Sequence, residues 1–167
     1  KRKTKGFLEV QPTHTAHVAG DEPVQFKRKN PDIGVFVDES RVFGIPRIIT
    51  QYPDTQLVIL DDAFQHLSVK PGLNILLTEF ERPFTRDWLL PSGRLREWRS
   101  AYKRADVIIV SKCPPELSLE DRQVLESEIA PHPHQTIYFS YYDYGQPYDL
   151  FTGQRMQLKQ DQKVLLV

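Results

Sequence analysis

A nine-residue run constrains the fold of this chain more than any other feature. Residues 58–66 read Val-Ile-Leu-Asp-Asp-Ala-Phe-Gln-His, so an aliphatic segment ends in two adjacent carboxylates. This pattern predicts a buried central strand over 57–61 that delivers charge to the carboxyl edge of a sheet, where open α/β sheets bind ligands. Adjacent carboxylates repel each other, so a folded site needs a cation, a hydrogen-bond donor or a metal nearby. The alternative is that Asp61 or Asp62 only caps a turn.

Composition narrows the function classes. The chain has 167 residues, enough for one domain with a core, and its 22 basic and 22 acidic residues give no overall nucleic-acid signal. The single cysteine, Cys113, rules out an internal disulfide. No apolar segment is long enough for a membrane-spanning helix. We therefore expect a reducing, cytosolic compartment and no nucleic-acid partner.

Apolar runs and turn signals alternate along the chain and predict an α/β fold. A helix over 41–51 follows Ser40 and should be kinked or shortened by Pro46, and a helix that reaches Ile129 follows Ser118. A basic helix is predicted from Ser92 to about Arg104. The predicted strands cover 33–37, 57–61, 73–78, 106–111 and 136–140, followed by a β-hairpin over 138–158 and a further strand from 163.

Two shorter stretches are open to two interpretations each. Residues 20–23 read Gly-Asp-Glu-Pro, which predicts an exposed turn that is either generic or an acidic active-site loop. Residues 1–6 are basic and are either a solvated terminus or a phosphate-facing loop. The Pro-His-Pro-His run at 131–134 favours a surface turn over a metal pair.

Three motifs carry a family resemblance. The sequences GDEP at 20–23, DDAFQH at 61–66 and LLPSGRLRE at 89–97 resemble, in the same order, the GDEP, DDGFQH and LLPAGxLRE motifs of the tetraacyldisaccharide 4'-kinase family. The resemblance implies a P-loop NTPase-like fold, a mostly parallel sheet flanked by helices. It assigns 1–140 to the central part of the kinase core and 141–167 to a β-hairpin linker and the first strand before a carboxyl-terminal lobe.

The activity implied by the resemblance is ATP-dependent phosphorylation of the 4'-hydroxyl of the tetraacyldisaccharide 1-phosphate precursor of lipid A. The implied cofactors are ATP and Mg²⁺, and the implied location is peripheral, on the cytoplasmic face of the bacterial inner membrane. The basic residues 27–29 would suit anionic headgroups or would form a solvated face. The family's phosphate loop is expected upstream of Lys1, so residues 1–167 alone are expected to be inactive.

The resemblance also implies roles for single residues. Asp21 would accept the proton of the sugar hydroxyl, and His66 would be a second catalytic residue. The metal would be held by three acids, Asp61, Asp62 and Glu97. Four residues are implied in substrate binding: Arg2, Glu22, Gln65 and Arg96.

Two alternatives stay open at this point. Glu97 would instead form an ion pair with a basic neighbour in its own helix. The whole domain would instead be a non-catalytic binding or scaffold module with an acidic sheet edge. A GTPase is disfavoured, because no Asn-Lys-x-Asp sequence follows a predicted strand.

Overall fold

The computed structural model describes residues 2–149 and 152–157. They form two compact units, Lys1–Gly72 and Leu73–Val167, each of which is described by itself. The predicted boundary between residues 140 and 141 stays a prediction. The strand predicted from residue 163 lies outside the described residues.

The first unit holds two short strands and three helices. The strands β1 (Leu8–Glu9) and β2 (Phe36–Val37) pair antiparallel. The helices of the unit are α1 (Ala16–Ala19), α2 (Asp21–Lys29) and α3 (Arg41–Gln51). The core of the unit consists of Val10, Ala19 and Val24, with partly buried Leu8, Val35 and Val37 packed against it.

Helix α3 covers the predicted range in full. Ser40 occupies its N-cap position but makes no side-chain cap hydrogen bond, and the Ser40 amide instead donates to Asp38 Oδ1 at 3.1 Å. Pro46 lies inside the helix without shortening it. A proline there removes one backbone donor, and the helix tolerates that loss at an exposed position.

The prediction of a central strand over 57–61 is wrong for this structure. The segment has no strand assignment, and none of the described strands pairs with it. Leu57 and Ile59 are 74% and 82% exposed. A strand interior needs hydrogen-bond partners for its amides and carbonyls, so an aliphatic run without a neighbouring strand does not form a ladder.

The second unit is built on a parallel sheet. Its strands are β3 (Ile75–Glu79), β4 (Val107–Ser111) and β5 (Thr136–Phe139), in the order β3-β4-β5. Ile108 and Val110 on the central strand are fully buried. Burying one such aliphatic side chain contributes about 1.5–3 kcal/mol, which explains why the strand with the most aliphatic sequence occupies the centre.

A helix connects the second and third strands of this sheet. Helix α4 (Leu119–Ile129) begins at Ser118, whose Oγ accepts a hydrogen bond from the Asp121 amide at 3.0 Å. It ends where Ala130 adopts φ 49°, and it buries Leu125 and Ile129. The predicted helix and the strands on either side of it are confirmed, and so is the α/β class, which is consistent with a P-loop-like fold.

Two further predictions fail or are unconfirmed. The basic helix predicted from Ser92 is wrong over its first half. Residues 92–98 are irregular, with an isolated bridge from Leu95 to Leu89, and a 3-10 helix, Arg99–Arg104, follows. A second 3-10 helix covers Phe84–Arg86. Of the predicted hairpin, an isolated antiparallel bridge between Tyr148 and Arg155 is present, and the hairpin itself is not confirmed.

No helix among residues 2–149 and 152–157 has the length and apolar character needed to cross a bilayer.

Candidate active site

The acidic pair of the first unit lies on irregular, solvent-exposed backbone. Asp61 and Asp62 are both exposed, and they occupy a turn instead of the predicted strand end. Asp62 has φ 45°, in the left-handed region that Asp and Asn tolerate better than most residues. This conformation occurs at few non-glycine residues of the described chain, and such positions concentrate at functional sites.

The turn continues into the remaining residues of the same motif. The His66 amide donates to the Ala63 carbonyl at 2.8 Å, and the Leu67 amide donates to the Gln65 carbonyl at 3.1 Å. His66 is exposed, whereas Gln65 Oε1 is buried and accepts no hydrogen bond from any described residue. A buried amide oxygen without a donor is costly. Gln65 therefore has a side-chain oxygen that could accept a hydrogen bond from a ligand.

The acids of the GDEP motif at 20–23 begin a helix and do not form the predicted exposed turn. Gly20, at φ 97°, is the N-cap of α2, and Asp21 and Glu22 are its first residues. Both acids are exposed. Negative charge in the first helical turn is favourable, because the aligned peptide dipoles leave partial positive charge there. The structure thus gives both acids a local structural role, beside the catalytic role predicted for Asp21 and the substrate-binding role predicted for Glu22.

Arg2 is held in place by a local ion pair. Its Nη2 lies 2.7 Å from Glu39 Oε1 and 2.9 Å from the Gly6 carbonyl, and Glu39 Oε2 accepts the Gly6 amide at 2.7 Å. The Gly6 amide and the charge of Arg2 hold the pKa of Glu39 below its usual value. Arg2 and Glu39 border an open cavity of about 660 Å³, which is lined by Arg2, Lys3, Thr4, Lys5, Asp38, Glu39 and Arg41.

Two of the basic residues 27–29 donate hydrogen bonds to backbone carbonyls of their own unit. Lys27 Nζ donates to the carbonyls of Pro31 and Ile33 at 2.9 and 2.8 Å. Arg28 Nε donates to the Pro12 carbonyl at 3.2 Å. Two of the three cations therefore already have acceptors in their own unit. This role in the fold was in neither of the predicted alternatives, headgroup binding and a solvated face.

In the second unit, the third motif forms a closed loop. The Leu95 amide donates to the Trp88 carbonyl at 2.9 Å, and the Leu90 amide donates to the Leu95 carbonyl at 3.0 Å. These two hydrogen bonds form the neck of the loop, and Gly93 lies against it. A Cβ at Gly93 would be 2.6 Å from the Trp88 nitrogen and closer still to Trp88 O and Asp87 Oδ1. The glycine of the motif is thus required by packing.

Glu97, the third predicted metal ligand, has a cationic partner. Arg104 Nη2 lies 2.8 and 3.0 Å from the two Glu97 carboxylate oxygens. The alternative of an ion pair is thus realised in the structure, although the partner lies on the following 3-10 helix and not on a shared α-helix. Arg96, next to Glu97, is exposed.

The ends of the sheet strands carry charged residues that the sequence reasoning missed. Glu79 ends β3 and forms an ion pair with Lys112, which directly follows β4 and has φ 58°. This pairing lowers the pKa of Glu79 and raises that of Lys112. Arg82 and Arg94 add further positive charge close to Glu79. The signal available in the sequence was a charged residue at the end of each apolar run.

The donor set suits a hard cation only in part. Within the described residues, no group of three or more His, Cys, Asp or Glu side chains is arranged to hold a metal. Mg²⁺, however, is usually bound through one or two carboxylates, with phosphate and water oxygens completing its shell. The adjacent carboxylates of Asp61 and Asp62 fit that requirement, so the pair stays the predicted Mg²⁺ site.

Fold and residues together define an α/β domain of the P-loop-like class, with exposed acidic residues on the turn at 61–62 and in the first turn of α2. The family model described as tetraacyldisaccharide-1-P 4'-kinase matches residues 1–165. The chain therefore belongs to this family.

Curated relatives agree with that assignment. A tetraacyldisaccharide 4'-kinase of Phocaeicola vulgatus is 43% identical over 173 residues, covering 100% of this chain and 47% of the relative. Those of Porphyromonas gingivalis and Bacteroides fragilis are each 46% identical over 87% of this chain, and the matches cover 42% and 39% of the relatives. The chain thus spans less than half the length of these relatives. No solved structure matches it significantly.

Proposed function

We propose that this chain is part of a kinase that transfers the γ-phosphoryl group of ATP to the 4'-hydroxyl of a tetraacyldisaccharide 1-phosphate in lipid A biosynthesis. The observation that carries the proposal is the family match over residues 1–165, with curated kinase relatives at 40–46% identity. A peripheral position on the cytoplasmic face of the inner membrane belongs to the same proposal, because the acceptor is a lipid.

Phosphoryl transfer asks the protein mainly to position the groups and to stabilise negative charge. When bound, Mg²⁺ supplies charge neutralisation on the phosphate oxygens. Asp61 and Asp62 offer carboxylate oxygens for the ion, and Glu97 is proposed as a third acid. Because Glu97 forms an ion pair with Arg104, its carboxylate would have to leave Arg104, or bind Arg104 and the metal together, in order to act as a ligand.

Asp21 is proposed to accept or orient the proton of the attacking hydroxyl. Its exposed position in the first turn of α2 leaves its carboxylate accessible to a substrate. Glu22 beside it is proposed to contact the acceptor. The proposed set is completed by His66, Gln65, Arg96 and Arg2. Of these, Gln65 brings a buried oxygen without a donor among the described residues, and Arg96 is an exposed residue.

The test is Asp21→Asn in the full-length protein, with Asp32→Asn as the matched control. Asp32 is likewise an exposed acid of the first unit, and no role is proposed for it. Asparagine keeps the size of the side chain but cannot take a proton. We expect kcat to fall by roughly 10²–10⁴-fold, with the ATP affinity nearly unchanged.

A purely structural role for Asp21 predicts a different result. Losing a charge that interacts favourably with the helix dipole costs about 0.3–1 kcal/mol, so the melting temperature would fall slightly while kcat stayed intact. That pattern would remove Asp21 from the mechanism. A full-length protein without phosphoryl transfer to the disaccharide acceptor would instead favour the non-catalytic module.

A further inference from the structure

The loop that carries Arg96 and Glu97 is fixed by a single arginine at its carboxyl end. Arg99 donates two hydrogen bonds to the Asp87 carbonyl, from Nε at 2.9 Å and from Nη2 at 2.7 Å. The Arg99 guanidinium also lies over the ring of Trp88, with its carbon 5.0 Å from the ring centroid. One side chain thus ties the end of the loop to both residues at its start.

The start of the loop is fixed by Asp87. Asp87 Oδ1 accepts the amides of Trp88 at 2.8 Å and of Arg94 at 3.2 Å, so it joins the beginning of the loop to its far side. The Trp88 amide, together with the Arg94 amide and nearby arginine charges, lowers the pKa of Asp87. We refer to Asp87 and Arg99 as the loop clasp.

The clasp leaves very little freedom to the span 96–98. On one side of the span, Leu95 is paired with the Trp88 carbonyl, and on the other side Arg99 is bound to Asp87. Within the span, the Glu97 carboxylate is held by Arg104. Arg96 is exposed, and the backbone that carries it is attached at both ends to the same pair of residues, Asp87 and Trp88.

From this geometry we propose that Asp87 and Arg99 are positioning residues that fix Arg96 for binding the phosphate that the acceptor already carries. The inference rests on the proposed function, because it takes the acceptor to be a sugar phosphate. An arginine fork recognises a phosphate through paired hydrogen bonds, and such recognition depends on orientation as well as on charge. A loop whose backbone is held in advance lowers the conformational entropy lost on binding.

The kinetic test compares Arg99→Ala with Arg122→Ala in the full-length protein. Arg122 is a matched control, because its guanidinium also stacks on an aromatic ring of the same unit, 5.7 Å from the Phe139 centroid. Arg99→Ala should lower kcat/KM for the acceptor by roughly 10- to 100-fold, while KM for ATP stays within about twofold. Arg122→Ala should leave both KM values unchanged.

Conservative variants separate positioning from charge. Arg99→Lys keeps the positive charge but loses the planar fork, so it should recover only part of the acceptor affinity. Asp87→Asn keeps an oxygen acceptor for the Trp88 and Arg94 amides and should stay close to wild type, whereas Asp87→Ala should resemble Arg99→Ala. Full recovery in Arg99→Lys would show that charge alone is needed and would overturn the proposal.

A double variant tests whether the clasp acts through the residue it presents. On an Arg96→Ala background, Arg99→Ala should change acceptor binding by less than about twofold, since coupled residues are non-additive. Independent, additive effects would contradict the inference.

Amide hydrogen exchange gives a readout that does not need activity. The amides of Trp88, Arg94 and Leu95 should exchange faster in Arg99→Ala than in Arg122→Ala. If exchange is unchanged, the clasp does not hold the loop and the inference fails, even with an active kinase. If exchange rises but the wild-type protein transfers no phosphate, the proposed function fails instead, and the assignment of Arg96 to an acceptor phosphate fails with it.

Discussion

The segment 57–66 and the loop 87–99 both carry residues of the predicted site, but their backbones are held in different ways. The loop closes on itself through the Leu95 amide, the Asp87 carboxylate and the Arg99 guanidinium, all within the same short stretch of sequence. The segment 57–60 has no ladder partner among the described strands, and its aliphatic side chains at Leu57 and Ile59 are exposed.

This difference separates two kinds of sequence signal. A loop closed by nearby donors and acceptors encodes its own conformation, because the groups that satisfy it are close in sequence. An aliphatic run encodes only the tendency to be buried, and its structure depends on strands that come from elsewhere in the chain. Motif residues in the loop are thus held by their own loop, whereas Asp61 and Asp62 depend on their surroundings.

The largest effect on stability is expected from adding one methyl group to the loop. In Gly93→Ala the new Cβ would collide with backbone atoms of Trp88, so the neck must open at a cost of about 1–3 kcal/mol. The melting temperature should fall, and acceptor binding should weaken with it.

Gly72→Ala is the matched control for that change. A Cβ at Gly72 meets nothing within 4 Å, and its φ is not positive. This variant should melt at or slightly above the wild-type temperature, because alanine reduces the entropy of the unfolded chain. Equal melting temperatures for the two variants would show that the loop is not tightly closed.

A second prediction concerns the carboxylates of the other region. Asp61→Asn and Asp62→Asn in the full-length protein should raise the Mg²⁺ concentration needed for half-maximal activity by roughly 10- to 100-fold. Asparagine is chosen because it tolerates the positive φ of Asp62, so that folding does not confound the result.

Asp54→Asn, another exposed acid of the first unit, serves as the control and should leave the Mg²⁺ dependence unchanged. Kinetics measured across a Mg²⁺ series decide the case. If both variants behave like Asp54→Asn, the acidic pair is a turn-forming element without a metal.

The smallest effect on stability is expected at the contact between α4 and the residues just before the loop. Glu128 on α4 accepts hydrogen bonds from Thr85 and Arg86, and Arg86 Nε lies 2.9 and 3.0 Å from its two oxygens. This pairing lowers the pKa of Glu128 below its usual value of 4.5. Because the Arg86 side chain is half exposed, Glu128→Gln should cost at most about 1 kcal/mol.

The pH dependence of that effect has a defined sign. A lowered folded-state pKa means that the stabilisation is present above the unfolded value and is lost as the pH falls through the folded value. The difference in melting temperature between wild type and Glu128→Gln should therefore be full at pH 7 and shrink below about pH 4.5. A difference that stays constant to pH 3 would show that the ion pair does not contribute. Acceptor KM should be unaffected at pH 7.

The sequence by itself determined the elements whose signals are local. Ser118 and the acids after it predicted the start of α4, and the aliphatic runs predicted β3, β4 and β5 to within a few residues. The three motifs predicted the family that the comparisons then showed. These signals succeed because caps, strand propensities and motif spelling depend on residues close together in the chain.

Only the tertiary structure decided the remaining features. It placed Asp21 at the first turn of α2, paired Glu97 with Arg104, and directed Lys27 to backbone carbonyls, where the sequence had left a headgroup contact and a solvated face open. It also left the run before Asp61 without a partner among the described strands. Each of these outcomes depends on which donor, acceptor or strand reaches a residue in three dimensions, and partners of that kind leave no periodic signal in the sequence.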